Sequence, residues 1–182
     1  MEIYVVRHGQ TDYNKKHVFQ GRIDIPLNEV GIEQAKETAL KLENIKIDMI
    51  LTSPLKRAHE TANYINEISK TQIEVDNRLI ERCFGDMEGH PNRDDWNIKM
   101  MLDYNNNYTN ENIEPIKSLF ERVYNFLDDI TEKHKDKTIL LVTHAGISQA
   151  IECYFNGMPD IPDYEHLEKL TLKNGEVRKY IK

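Results

Sequence analysis

The sequence predicts an α/β fold, specifically a three-layer α/β/α sandwich with a mostly parallel central sheet and an antiparallel terminal strand. Two observations support this fold class. First, residues 3–6 and 139–142 are short apolar segments rich in β-branched side chains, which is typical of strands buried on both faces of a sheet. Second, segments with apolar residues at helical spacing alternate with the strands, and this alternation indicates a parallel sheet covered by helices on both sides.

The first half of the chain predicts two strands and two helices. After the first strand, residues 11–31 are polar and contain glycine, which predicts a loop. An amphipathic helix is then expected to bury Ile32, Ala35, Ala39 and Leu42. Residues 48–52 predict a second strand. Ser53 and Pro54 are typical of an N-cap and a first helical position, so we expect a helix there that buries Leu55, Ala58, Ala62 and Ile65.

The second half predicts a short strand at residues 73–75 and an irregular, charged loop over residues 78–89. Residues 90–113 are polar and rich in asparagine, which fits either a lid or a solvated insertion. A long amphipathic helix follows, and another begins at Gly146 after the strand at 139–142. Residues 167–177 predict a hairpin around the Asn174-Gly175 turn. We expect one domain over residues 1–182, with residues 90–115 as a lid-like insertion.

Composition narrows the function classes. The 182-residue chain has a net charge of −7, so neither nucleic acid nor an anionic membrane surface is expected as its main partner. From the residue pattern we expect neither a secretory signal nor a membrane-spanning segment. Cys83 and Cys153 are the only cysteines and are expected to be unpaired, which agrees with a cytoplasmic location. The sequence leaves open whether the protein is a monomer or a homodimer.

Two histidines stand at equivalent positions in the predicted sheet. His8 and His144 each follow an apolar strand and precede a glycine, directly or after one alanine. Ligands of such sheets bind beyond the carboxyl ends of the strands, so we expect both imidazoles at one ligand site, with Gly9 and Gly146 leaving room for the ligand to approach. Arg7 precedes the first histidine, and Arg57 lies in the first predicted turn of the helix after the second strand.

This set of side chains suits phosphoryl chemistry. The planar guanidinium groups of Arg7 and Arg57 match phosphate oxygens bidentately, and a neutral imidazole of His8 or His144 can act as a nucleophile. Such a cluster positions a phosphoryl group and neutralises its charge without a metal. The leaving oxygen also needs a proton. Glu81, in the charged loop, is the best-placed acid by position, with Asp24, Asp86 and Glu88 as competitors.

Five short motifs occur in order along nearly the whole chain. They are RHGQT at residues 7–11, continued by Asn14, then QGRIDIPLN at 20–28, SPLKRAHETA at 53–62, ERCFGDMEG at 81–89 and VTHAG at 142–146. Together they resemble the motifs of the histidine phosphatase superfamily, in its phosphoglycerate mutase-like branch. The resemblance implies a phosphoglycerate mutase-like fold and no metal or cofactor. Only Glu114 fits the Gly-Glu-Ser element that members often have before the long helix.

The resemblance also implies a role for each site residue. His8 is expected to become phosphorylated, while Arg7, Arg57 and His144 hold the phosphoryl group and Glu81 protonates the leaving oxygen. Asn14 is expected to add a contact to the phosphate. Gln20 and Gly21, at the start of the second motif, are further candidates for substrate binding.

Three functions are compatible with these residues. The leading one is a phosphomonoester hydrolase acting on a small phosphorylated metabolite, and the alternatives are a mutase and a phosphate-binding protein without turnover. A mutase should have surplus cations in its lid, but residues 90–115 contain two basic and five acidic residues. The resemblance suggests α-ribazole phosphate, sugar phosphates or phosphoglycerates as substrates. Selectivity is expected to come from Arg22, Arg82, Trp96, Tyr104 and Tyr108.

Overall fold

The structure is a computed structural model that describes residues 1–91, 99, 102–108 and 112–182. Two 3₁₀ turns, Asn77–Leu79 and Gly85–Met87, lie in the loop after the third strand. The strands and longer helices follow one another as β1 (Glu2–Arg7), α1 (Asp12–Lys15), α2 (Glu29–Lys41), β2 (Met49–Thr52), α3 (Lys56–Ser69), β3 (Ile73–Val75), α4 (Ile116–Lys133), β4 (Thr138–Thr143), α5 (Ala145–Asn156), α6 (Tyr164–Glu168) and β5 (Val177–Ile181).

The two histidine-bearing strands are neighbours in the sheet. The strand order is β3–β2–β4–β1–β5, with β5 antiparallel to β1 and all other pairs parallel. The register pairs Arg7 with Thr143, and the backbone N–H of His8 donates to the carbonyl oxygen of Thr143 at 2.9 Å. His8 and His144 therefore leave the sheet side by side at its carboxyl edge, and the predicted parallel sheet with an antiparallel terminal strand is confirmed.

Helices cover both faces of this sheet. Because side chains alternate along a strand, Ile3 and Val5 of β1 face a core shared with α4 and α5. Tyr4 and Val6 face the opposite core, shared with α2 and α3. The three-layer arrangement predicted from the sequence is confirmed.

The predicted hairpin over residues 167–177 is wrong. Leu167 belongs to helix α6, whose N-cap Asp163 accepts a hydrogen bond from the backbone N–H of His166. Leu172 is buried in the α4–α5 core, so apolar burial here comes from packing under the sheet edge rather than from strand pairing. Gly175 does adopt a positive φ of 71° in a turn, but this turn leads into β5, which pairs with β1.

The predicted helix start at Ser53 and Pro54 is also wrong. Helix α3 begins at Lys56, with Leu55 as its N-cap in extended conformation. The Ser53 hydroxyl accepts from the backbone N–H of Leu55 and is also hydrogen-bonded to His144, so it does not cap a helix beginning at Pro54. The one-turn helix α1 lies in a segment whose polar, glycine-containing sequence predicts a loop.

The predicted lid lies only in part within the structure. Residues 92–98, 100–101 and 109–111 are outside the described residues, so a lid over residues 90–115 stays a prediction, as does a single domain over residues 1–182. In the described ranges, Cys83 and Cys153 are free. No helix of those ranges is long and apolar enough to cross a membrane.

Candidate active site

A cavity of about 190 Å³ lies at the carboxyl edge of the sheet. Seven of the eight residues that the sequence proposed for the site line it. His144 is the exception: it packs behind His8, with the two ring centroids 5.1 Å apart. The seven are Arg7, His8, Asn14, Gln20, Gly21, Arg57 and Glu81.

His8 lines this cavity with one unprotonated ring nitrogen. Its Nδ1 lies 2.7 Å from the carbonyl oxygen of Gly9, and because a carbonyl can only accept, Nδ1 carries the proton and Nε2 the lone pair. Burial lowers the pKa of His8 well below its ordinary value, and the charges of Arg57 and Arg7 add to this effect. The imidazole is therefore neutral at neutral pH, which is the form that can attack an electrophile.

Arg57 connects Nε2 of His8 to the loop after α1 through hydrogen bonds. Its Nε donates to His8 Nε2 at 3.3 Å, and its two terminal nitrogens donate to the carbonyl oxygens of Ile23 and Gly21 at 2.9 and 2.8 Å. Burial lowers the pKa of Arg57 to about 10, which still leaves the guanidinium charged at neutral pH. A fixed positive charge thus lies beside the lone pair of His8.

The Nε–H of Arg7 is a hydrogen-bond donor that no described residue uses. One of its terminal nitrogens donates to the carbonyl oxygen of Leu172 at 2.8 Å, but its buried Nε has no hydrogen-bond partner among the described residues. Burying a charged donor without a partner is costly. An anion in the cavity would satisfy it.

His144 is held by a serine. It is 0% exposed, and its Nε2 lies 2.7 Å from the hydroxyl of Ser53. Its Nδ1 is buried without a hydrogen-bond partner in the described part of the chain. Burial lowers the pKa of His144 well below the ordinary value, followed in importance by the charge of Arg57.

Glu81 lies in the cavity wall with both carboxylate oxygens engaged. It is 7% exposed. One oxygen accepts from the backbone N–H of Arg82 at 2.8 Å and the other from that of Gly146 at 3.3 Å. These two bonds fix the carboxylate on the cavity side of α5.

The polar residues of the first loop are oriented by one another. Asn14 Oδ1 accepts from the backbone N–H of Thr11 and from the amide of Asn174, and Gln20 Oε1 accepts from the Thr11 hydroxyl at 2.8 Å. Both residues therefore have their amide nitrogens left to donate to a ligand. Gly21 contributes its carbonyl oxygen to Arg57.

The expectation that Gly9 makes room for a ligand is wrong, whereas Gly146 does line the cavity. A Cβ atom at Gly9 would collide with the backbone of Gly31, where helix α2 approaches β1. A Cβ atom at Gly146 would lie 2.8 Å from a carboxylate oxygen of Glu81. Both glycines thus allow close contact between protein groups, and Gly146 makes space for the candidate acid.

Only some of the residues expected to give substrate selectivity line the cavity. Arg82 lines the cavity, whereas Arg22, Tyr104 and Tyr108 are not among the described lining residues, and Trp96 lies outside the described ranges. Tyr104 packs on Phe120 instead, with ring centroids 5.1 Å apart. The sequence motifs do not indicate a further group of lining residues from α5, α6 and the turn after α6, namely Gln149, Tyr164, Glu168 and Thr171. The signal for α6 was Asp163 as N-cap with Glu165 in the first turn.

The fold and the cavity define an α/β protein whose site suits a phosphate ester. The model of the histidine phosphatase superfamily (branch 1) matches residues 3–180, and the chain belongs to this family. It is 36% identical to an uncharacterized phosphatase, PhoE, of Bacillus subtilis, over 85% of this chain and 77% of that protein. It is 29% identical to adenosylcobalamin/alpha-ribazole phosphatase of Escherichia coli, over 87% of this chain and 81% of that protein.

Solved structures show the same architecture. Phosphoserine phosphatase of Entamoeba histolytica, in complex with 3-phosphoglyceric acid, superposes with a TM-score of 0.84 at 27% identity, covering 99% of this chain and 90% of that chain. YhfR of Bacillus stearothermophilus also gives a TM-score of 0.84, at 26% identity, covering 98% and 89%. The phosphoglycerate mutase-like fold expected from the motifs is confirmed.

Proposed function

We propose that this chain is a phosphomonoester hydrolase that forms a covalent phosphohistidine on His8. The observation that carries the proposal is the state of that side chain. Its Nδ1 proton is fixed on the Gly9 carbonyl, and its Nε2 lone pair lies in a cavity beside the Arg57 guanidinium. A nucleophile and a phosphate-binding cation are thus within 3.3 Å of each other.

The bound phosphoryl group would meet donors on several sides. Arg57 supplies positive charge, as does Arg7, whose Nε is bonded to no described residue. Asn14 supplies an amide. We assign His144 a supporting position, since its ring packs against His8 and its Nδ1 has no partner among the described residues. Charge on the three equatorial oxygens is what a phosphoryl-transfer site must neutralise.

The reaction then takes two steps. In the first, the bond from His8 Nε2 to phosphorus forms while the ester P–O bond breaks, and Glu81 gives its proton to the leaving alkoxide. The imidazole becomes positively charged, and the hydrogen bond from its Nδ1 to Gly9 stabilises that charge. In the second, water gives a proton to Glu81 and its oxygen bonds to phosphorus as the Nε2–phosphorus bond breaks. Neither step requires a metal or a cofactor.

Similarity to phosphatases of small metabolites supports a small phosphorylated metabolite as the substrate. The acidic excess of residues 90–115 favours hydrolysis over a mutase reaction on anionic phosphoglycerates. A cytoplasmic location stays a prediction from the sequence.

Rapid-quench kinetics with p-nitrophenyl phosphate test this mechanism. We expect acid-labile phosphate on His8 of the wild type, and a loss of turnover of about 10³-fold or more in His8→Asn. His59→Asn is the matched control, because His59 lies on the exposed side of α3 with Asn63 as its partner. Full activity of His8→Asn would exclude the mechanism. Efficient isomerisation of phosphoglycerates with little free phosphate would favour a mutase instead.

A further inference from the structure

The wall of the cavity contains a carboxylate that the proposed reaction does not use. Glu168 is the last residue of helix α6 and lines the cavity with Tyr164 of the same helix and Thr171 of the following turn. It is also exposed to solvent, so it lies where the cavity opens. Glu81, by contrast, is buried.

No described residue holds the Glu168 side chain. Its carboxylate forms no hydrogen bond or ion pair with any described residue. Its electrostatic partner is Arg7, whose positive charge it stabilises from a distance. Partial desolvation at the cavity raises the pKa of Glu168, and Arg7 opposes this shift. A carboxylate that no described residue binds therefore lies near the group that would hold the phosphate.

The net charge of the described lining residues disfavours a second anionic group on the substrate. Among the described lining residues, three are cations (Arg7, Arg57 and Arg82) and two are carboxylates (Glu81 and Glu168). The Nε–H of Arg82 donates to the carbonyl oxygen of Glu114 at 2.7 Å. The negative charges of the Glu114 and Glu81 carboxylates stabilise the positive charge of Arg82. With Glu81 protonated as the acid, a bound phosphate dianion already cancels the net positive charge of these residues. A further carboxylate or phosphate on the substrate would be repelled.

We propose that Glu168 selects the leaving group by charge, so that the preferred substrates are phosphate monoesters whose alcohol carries a protonated amine. The ammonium group would contact the free carboxylate of Glu168 at the cavity mouth while the phosphate lies against Arg7 and Arg57. Apolar residues of the wall, among them Phe19, Phe84 and Leu167, would contact the carbon atoms between these two ends. This selectivity rests on the proposed function and adds a substrate class to it.

Three small esters of similar length test the selectivity: phosphoethanolamine with a cationic end, propyl phosphate with a neutral end and phosphoglycolate with an anionic end. We measure kcat/KM for each in the wild type, in Glu168→Gln and in Glu165→Gln. Glu165 is the matched control, because it lies on the same helix, is exposed and is not among the lining residues. Intrinsic differences between leaving groups cancel when a variant is compared with the wild type.

In Glu168→Gln we expect the ratio of kcat/KM for phosphoethanolamine to that for phosphoglycolate to fall by about tenfold or more, as one unit charge lost at short range in a partly solvated site requires. In Glu165→Gln the ratio should stay within about twofold, since exposed charges are screened. An equal change in the two variants, or no change, would overturn the role of Glu168. Hydrolysis of p-nitrophenyl phosphate separates the two claims, because its absence from the wild type would overturn the proposed function itself.

Discussion

Replacing Ser53 by alanine should destabilise the protein and remove the hydrogen bond that orients His144. The Ser53 hydroxyl lies 2.7 Å from His144 Nε2, and both residues are 0% exposed. The other ring nitrogen, Nδ1, has no hydrogen-bond partner among the described residues. In Ser53→Ala, both nitrogens of a fully buried imidazole are therefore left without a hydrogen-bond partner.

The structure sets the size of the effect. Leaving one buried polar group unsatisfied costs about 1–3 kcal/mol, so we expect the free energy of unfolding to fall by about 2 kcal/mol. The bond from the Leu55 backbone to the same hydroxyl is long, at 3.3 Å, and its loss should add little. In a domain of this size, a loss of about 2 kcal/mol lowers Tm by about 4–8 °C.

Urea unfolding and thermal melts measure the stability, with Ser69→Ala as the matched control. The Ser69 hydroxyl bonds to Asn66 at the half-buried end of α3, so its removal should change the free energy of unfolding by about 0.5 kcal/mol or less. Because His144 would also lose its orientation, kcat/KM for p-nitrophenyl phosphate should fall by about 10–100-fold in Ser53→Ala. Equal stability of the two variants, together with unchanged kcat/KM in Ser53→Ala, would refute the reasoning.

Two further predictions concern the acid and the histidines. Glu81→Gln should lower kcat for propyl phosphate by about 10²-fold or more. It should lower kcat for p-nitrophenyl phosphate far less, because a good leaving group needs no proton. Similar losses of kcat with both substrates would argue against Glu81 as the acid. Since the pKa values of His8 and His144 lie well below the ordinary value in the native state, the unfolded chain binds more protons than the native protein below about pH 6.5. Stability should then fall on acidification by up to about 1.4 kcal/mol per pH unit for each histidine, and urea unfolding between pH 7 and 5 should show a smaller slope in His8→Asn than in the wild type.

The sequence predicted the parts of the fold whose local pattern is repeated over several residues. Strands β1 and β4 are apolar at consecutive positions, and α4 has an apolar stripe along 18 residues, so each could be read from its own segment. Helix α6 has five residues and a single buried side chain, Leu167. One buried position defines no period, and the Asn174-Gly175 turn favoured a hairpin instead.

The same limit applies to the site. The sequence indicated the seven lining residues through motifs, but it did not show what holds them. Ser53 contacts His144 across 91 positions of the chain, and Arg7 meets the carbonyl oxygen of Leu172 across 165. Such contacts depend on how β1, β2 and β4 are ordered in the sheet, which local patterns do not determine. Glu168 was missed for the related reason that α6 itself was not predicted.

The different roles proposed for the two histidines follow from their partners and not from their strands. His8 and His144 follow adjacent parallel strands at the same register, so their positions in the sheet are equivalent. Gly9 engages Nδ1 of His8, and this leaves Nε2 at the cavity beside Arg57. In His144 the same Nε2 is engaged by Ser53, and the ring lies behind His8. His8 lines the cavity and His144 is not among the described lining residues, so an incoming phosphoryl group meets the lone pair of His8.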